Sequence, residues 1–147
     1  IRSRRSKKGS SRLKNLTIHV LLIFSVGCVG PADPSHGLVE NLPVVINKSD
    51  VFSLSLRGDN LAYEKTFEST ISLPDNRQMI STMIVSDFST SDSSFIQVLG
   101  LNDTVIFDYL INSNLASTEI KSHHVVTKIN IGLRGFSGIL DWVLTGN

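Results

Sequence analysis

The chain has 147 residues, 41% of them hydrophobic and 18% charged, with 14 basic and 13 acidic side chains. That length supplies the core of one domain, and a single cysteine excludes a disulfide framework. Seven of the basic residues precede Leu16 and every acidic residue follows Ala32, so residues 33–147 carry seven basic against 13 acidic groups, a net charge near −6 that argues against binding a phosphate backbone.

In chain order, the first element is the basic run Arg2, Arg4, Arg5, Lys7, Lys8, Arg12 and Lys14. The apolar residues 16–26 follow, then the small-residue stretch Gly27-Cys28-Val29-Gly30-Pro31-Ala32. This is the order of a secretory signal peptide. Eleven residues would span only about 16 Å as a helix, against a hydrocarbon core of roughly 30 Å, so a membrane span is not expected. The basic run alone would also suit a nucleic-acid-binding arm or a nuclear signal; the apolar run directly behind it favours the signal peptide. Cleavage after Ala32, with Gly30 and Ala32 at the small-residue positions, gives a leader over 1–32 and a single secreted β domain over 33–147. Cys28 leaves with the leader, so the mature domain has no disulfide.

Beyond residue 33 the hydrophobic period is two. Phe52, Leu54 and Leu56 alternate with Ser53, Ser55 and Arg57, while Ile80, Thr82 and Ile84 alternate with Ser81, Met83 and Val85. Further strands are expected over 61–67, 95–99, 105–111, 125–133 and 139–145. Turn chemistry marks Arg57-Gly58-Asp59-Asn60 and Pro74-Asp75-Asn76 as tight turns and 89–94 as a polar loop. Gly100-Leu101-Asn102-Asp103 and Gly135-Phe136-Ser137-Gly138 read as hairpin connections. Residues 112–122 are polar enough for an excursion from the sheet. Seven or eight short strands at roughly 8 to 12 residue spacing predict an all-β fold, an antiparallel β-sandwich or flattened barrel.

Catalytic chemistry is not legible. Serines, His36 or His123 and an aspartate could be combined into a triad on paper, but no serine sits in a G-x-S-x-G elbow. His123 and His124 are adjacent, and neighbours on a strand point to opposite faces, so they do not form a chelating pair there. Glu64/Glu68 and Asp87/Asp92 read as solvated carboxylates. The glycines of 132–138 are followed by no helix, so no phosphate cradle and no cofactor are expected. Arg57-Gly58-Asp59 spells an adhesion tripeptide that is equally good turn chemistry. Trp142, beside Leu140 and Leu144, reads as a core anchor. Asn47-Lys48-Ser49 and Asn102-Asp103-Thr104 are glycosylation acceptors, making Asn47 and Asn102 candidate modified residues.

Several motifs in sequence carry a resemblance. Gly58-Asp59-Asn60-Leu61-Ala62-Tyr63-Glu64, Ile80-Ser81-Thr82-Met83-Ile84-Val85-Ser86-Asp87, Ile129-Asn130-Ile131-Gly132-Leu133 and the final strand Gly138-Ile139-Leu140-Asp141-Trp142-Val143-Leu144-Thr145-Gly146 resemble the arthropod multiprotein bridging factor two family, also described as salivary secreted peptides. The resemblance covers about residues 57–147; residues 112–122 look like an insertion relative to it. It implies an arthropod source, a small β-rich domain behind a signal peptide, and no known catalytic residues. The founding member is described as a transcriptional coactivator, working through a bridging partner and a nuclear receptor.

The expected function is therefore that of a small secreted, non-enzymatic β-rich protein of saliva, haemolymph or extracellular matrix, binding an extracellular protein or a small ligand and no nucleic acid directly. The alternative is a transcriptional coactivator that bridges a nuclear receptor to the general transcription machinery. Recognition is expected in the loops 89–94, 102–103 and 112–122, because loops on a rigid sandwich carry binding.

Overall fold

The computed structural model describes residues 37–147. The signal peptide, its cleavage site, Cys28 and His36 lie outside the described residues. Seven strands follow one another: β1 (Val44–Asn47), β2 (Val51–Glu68), β3 (Met79–Ser86), β4 (Ser94–Gly100), β5 (Val105–Ile111), β6 (Leu115–Lys121) and β7 (Val126–Gly146), with one 3-10 turn, Leu101–Asp103, between β4 and β5. All strand pairs are antiparallel: β7 pairs β2 along nearly its whole length, and on its other side it pairs β4 with its first half and β3 with its second.

The β2–β7 ribbon is bent double. Phe52 and Phe67 stand 15 positions apart on β2, which at about 3.3 Å per residue would separate them by roughly 50 Å in a straight strand. Their ring centroids are 5.4 Å apart. The bend gives a first sheet, β1–β2–β7–β3–β6, and a second, β2–β7–β4–β5, whose inner faces meet. The fold is thus all-β, a flattened half-barrel whose halves pack like a sandwich.

Two expected turns turn out to make this bend. Arg57-Gly58-Asp59-Asn60 and Gly135-Phe136-Ser137-Gly138 lie inside β2 and β7, where the register slips between Gly58 and Leu61 and again between Leu61 and Tyr63. Gly58 faces Gly138 across the ribbon. Asn60 (φ 51°), Gly135 (φ 56°) and Gly138 (φ 146°) take left-handed or glycine-only conformations, and the Asn60 amide donates to Ser137 Oγ at 2.9 Å. Extra residues in a paired strand kink it and raise its twist. The chemistry that ends a hairpin elsewhere therefore bends a continuous ribbon here, and the expected strands 61–67 and 125–133 fuse with their neighbours. The other turns stand as expected: Arg77 N donates to Pro74 O at 3.0 Å, residues 87–93 form the β3–β4 loop, and the 3-10 turn closes the β4–β5 hairpin.

Residues 112–122 are not an excursion: β6 occupies most of them and pairs with β3. On β3 the inward residues are Met79, Ser81, Met83 and Val85, leaving Ile80, Thr82 and Ile84 outside. Ser81 is inside because two core groups need it. Tyr109 Oη donates to Ser81 Oγ at 2.7 Å and Trp142 Nε1 donates to the same oxygen at 2.9 Å. Both rings are buried, and Trp142 packs against Phe52 at 5.5 Å. One serine oxygen thereby joins β5 of the second sheet to β3 and β7 of the first.

Burial pushes the Tyr109 pKa from 10.0 up to about 12; the Glu119 carboxylate adds to the rise and the bond to Ser81 opposes it. The folded phenol keeps its proton to a higher pH than the unfolded one. The Tyr109 contribution to stability is therefore expected to be level below pH 10 and to fall by up to about 1.4 kcal/mol per pH unit from pH 10 to about 12. Urea titrations across that range check this, and Tyr109→Phe should flatten the slope; an unchanged slope in that variant would assign the alkaline loss to other groups.

Candidate functional site

Three surface features are built by the fold. The first is the outer face of the first sheet. Residues alternating with the core bring Ile46, Ser53, Val143, Thr82 and Thr118 into one cross-strand row, and Val44, Ser55, Asp141, Ile84 and Ala116 into the next. Val44, Ile46, Ile84, Ile120 and Val143 are exposed large aliphatic side chains on this face, and Thr82 and Thr118 bond hydroxyl to hydroxyl at 3.2 Å. Asp141 is the one charge within those two rows, and among the described residues it has no ion-pair partner. With strands about 4.8 Å apart, five strands give a face roughly 20 Å wide.

The second is a groove of about 260 Å³ on the outer face of the second sheet, lined by Glu64, Lys65, Thr66, Phe95, Gln97 and Asn130, with Ile131 beneath. Across β5, β4, β7 and β2 the register places Leu110, Phe95, Gly132 and Glu64 in one row and Asp108, Gln97, Asn130 and Thr66 in the next. The Phe95 ring lies over Gly132: a Cβ there would stand 2.2 Å from it. Thr66 Oγ1 donates to Asn130 Oδ1 at 2.8 Å, which leaves the Asn130 Nδ2 to donate elsewhere.

The third is a polar cleft of about 270 Å³ at the bend, lined by Glu40, Arg57, Asp59, Asp87, Ser89 and Ser137 among others. It contains the Arg57-Gly58-Asp59 tripeptide, which is not a projecting loop. Gly58 is buried, Arg57 O accepts from Asn41 N at 2.8 Å, and Asn41 holds the Asp59 backbone through both its Oδ1 (2.8 Å) and its Nδ2 (3.1 Å).

The histidines precede β7 in an irregular segment. His123 turns inward with Nε2 3.4 Å from Asp75 Oδ1, while His124 is exposed and lines a separate small hollow with Val125 and Ile106. Glu64 belongs to the groove, Glu68 lies at the end of β2, and Asp87 and Asp92 belong to the β3–β4 loop. Among the described residues no three His, Cys, Asp or Glu side chains are gathered for a metal ion, and no helix is long and apolar enough to cross a membrane.

The two sequons differ physically. Asn47 Nδ2 donates to Glu68 O at 2.8 Å and its Oδ1 accepts from Thr70 N (3.1 Å) and Thr70 Oγ1 (2.9 Å), clasping the far end of β2 to β1. A glycan on Asn47 would replace one of the two Nδ2 hydrogens and leave a single N–H to reach Glu68 O. Asn102 is exposed on the 3-10 turn at φ 55°. Asn47→Ala is expected to lower stability by about 1–2 kcal/mol, whereas Asn102→Gly, which suits the left-handed backbone, should stay within about 0.5 kcal/mol. Thermal or urea unfolding of the two variants separates them.

No protein-family model matches the chain, and no curated protein does. Among solved structures the chain is similar to a protein of Bacillus endospore appendages, described as disulfide-linked pili, at 8% identity and a TM-score of 0.39 over 78% of this chain and 95% of that one. It is also similar to the capsular polysaccharide assembling protein CapF from Staphylococcus aureus (15%, 0.34, over 92% and 36% of the two chains) and to a protein described under CBM4 structure and function (17%, 0.34, over 80% and 84%). At these scores the likenesses assign no function.

Proposed function

We propose that the chain is a secreted, non-enzymatic β domain that binds an extracellular protein through the outer face of its first sheet. The observation that carries this reading is the exposed row of Ile46, Val143 and their neighbours Val44, Ile84 and Ile120 on a face with Asp141 as its central charge. Exposed apolar patches mark interaction surfaces, and here five exposed aliphatic side chains share one sheet face with serines and threonines between them. The partner it fits presents aliphatic side chains around one basic group, which meets Asp141. Secretion rests on the basic–apolar–small order of residues 1–32, and the arthropod source on the bridging-factor resemblance.

Expression of the full transcript in insect cells, with mass spectrometry of medium and nuclei separately, tests the compartment. A product beginning near Asp33 is expected in the medium; an intact chain retaining Cys28 in nuclei overturns secretion and makes the coactivator role the one to pursue. For the surface, a photo-cross-linking residue is placed at Thr118, or at Arg134 as a control, and the protein is incubated in haemolymph or saliva. Capture from Thr118 alone, abolished by Asp141→Lys, is expected. Equal capture from both positions, or indifference to Asp141→Lys, overturns the surface.

A further inference from the structure

We propose that the groove on the second sheet is a binding site for a short neutral oligosaccharide. This is independent of the protein-docking face, which belongs to the other sheet.

The floor is a lattice of two rows. Strand spacing of about 4.8 Å carries each row roughly 14 Å from β5 to β2, and the rows lie about 7 Å apart along the strands. One row presents apolar surface, Leu110 and Phe95, ending at Glu64; the other presents Asp108, Gln97, Asn130 and Thr66, all hydrogen-bonding groups. Gly132 lies between Phe95 and Glu64, and Phe95 covers it. Laying an aromatic over a strand glycine shields the backbone, and the same ring remains part of the groove wall. Leu110 beside it is 63% exposed, so the apolar row is open to a ligand.

The groups select the ligand by exclusion. An anion would meet Glu64 at one side and Asp108 at the other. The nearby Lys128 ammonium lies 3.4 Å from Asp103, and Lys65, which is exposed and lines the groove, has its ammonium 5.2 Å from the Phe67 ring centroid, so the lining carries Glu64 and Lys65 one for one and no net positive charge. A wholly apolar ligand would leave the Gln97 and Asn130 amides and the Glu64 carboxylate desolvated without partners, which is costly. What remains is a molecule with an apolar face to lie on Phe95 and a rim of hydroxyls that both donate to carboxylates and accept from amides. A pyranose ring has that surface, and the length of the rows suits several linked rings.

The test is a titration of the ¹⁵N-labelled full chain with chitotriose, cellotriose, maltotriose, mannotriose and xylotriose, with a heparin-type tetrasaccharide as the anionic comparison. At least one neutral probe is expected to move the amide signals of Thr66, Gln97, Asn130 and Gly132, with affinity falling about tenfold or more in Phe95→Ala. Because Phe95→Ala uncovers Gly132 and could disturb the sheet, Gln97→Ala provides a second variant whose side chain makes no hydrogen bond within the described residues. It should weaken binding several-fold while leaving the spectrum of the free protein dispersed as before. Absence of a response to every neutral probe overturns the site. So do shifts that survive both substitutions, or preferential binding of the sulfated probe at these residues. Asp141→Lys is expected to leave the titration unchanged, which separates this site from the protein-docking surface.

Discussion

Ser81→Ala is expected to lower stability by about 3 kcal/mol or more, far beyond the loss of one small side chain. Its Oγ accepts from both Tyr109 and Trp142, and all three residues are buried. Removing the oxygen strands two donors among buried side chains, at about 1–3 kcal/mol each. Against a typical domain stability of 5–15 kcal/mol, that is a substantial share. Urea titration followed by Trp142 fluorescence gives the number, and a double-mutant cycle gives its origin. In a Tyr109→Phe background, where one orphaned donor is already gone, Ser81→Ala should cost about 1–2 kcal/mol less. A single-mutant loss under about 1 kcal/mol would mean that the serine does not join the two sheets in solution.

The bend gives the second large effect. Gly58→Ala places a Cβ 2.7 Å from both the ring and the carbonyl oxygen of Phe136, and Gly138→Ala places one 2.8 Å from Ser86 O at a φ of 146° that side chains rarely adopt. Neither clash is with the free end of a flexible chain; relief requires moving backbone on which both sheets depend. Losses of about 3 kcal/mol or more are expected from each, combining overpacking with backbone strain. Gly37→Ala is the control. Its φ of +68° is also unfavourable, but the added Cβ meets nothing within 4 Å, so it should cost only about 1 kcal/mol. Melting temperatures and near-ultraviolet circular dichroism of Trp142 distinguish the cases, and equal losses at Gly37 and Gly58 would show that close approach at the bend contributes nothing.

Alternation along the chain made the strands around Phe52, Met83, Ile96, Phe107 and Trp142 legible, and Trp142 is the anchor its neighbours imply. The bend was not legible, because glycine and asparagine serve a hairpin and a bulge through the same positive φ; only the partner strand distinguishes them. β6 was hidden for a different reason. Its inward positions are Leu115, Ser117, Glu119 and Lys121 and its outward ones Ala116, Thr118 and Ile120, so beyond Leu115 the polar residues face in, the reverse of a half-buried strand. Inward charges suit an edge strand that must not pair further. Lys121 accordingly stands 4.9 Å from the Phe107 ring centroid and donates to Ile106 O. The groove escaped notice because Gln97, Asn130 and Thr66 look like any solvated face until the register sets them side by side. Loops were the expected recognition sites; the two surfaces proposed here lie on strands.

The central position of β7 constrains the order in which the molecule can come into being. Val51 pairs with Thr145 and Phe95 with Gly132, so each half of the fold waits for the last strand described. A ribosome delivers that strand after the other six. Until it emerges, β2, β3 and β4 have apolar faces and unpaired edges with no central neighbour, and native pairing of this kind across long stretches of sequence is slow to form. A nascent chain stalled before Val126 is therefore expected to be protease-sensitive along its length, and emergence of Val126–Gly146 to bring protection to both sheets in one step.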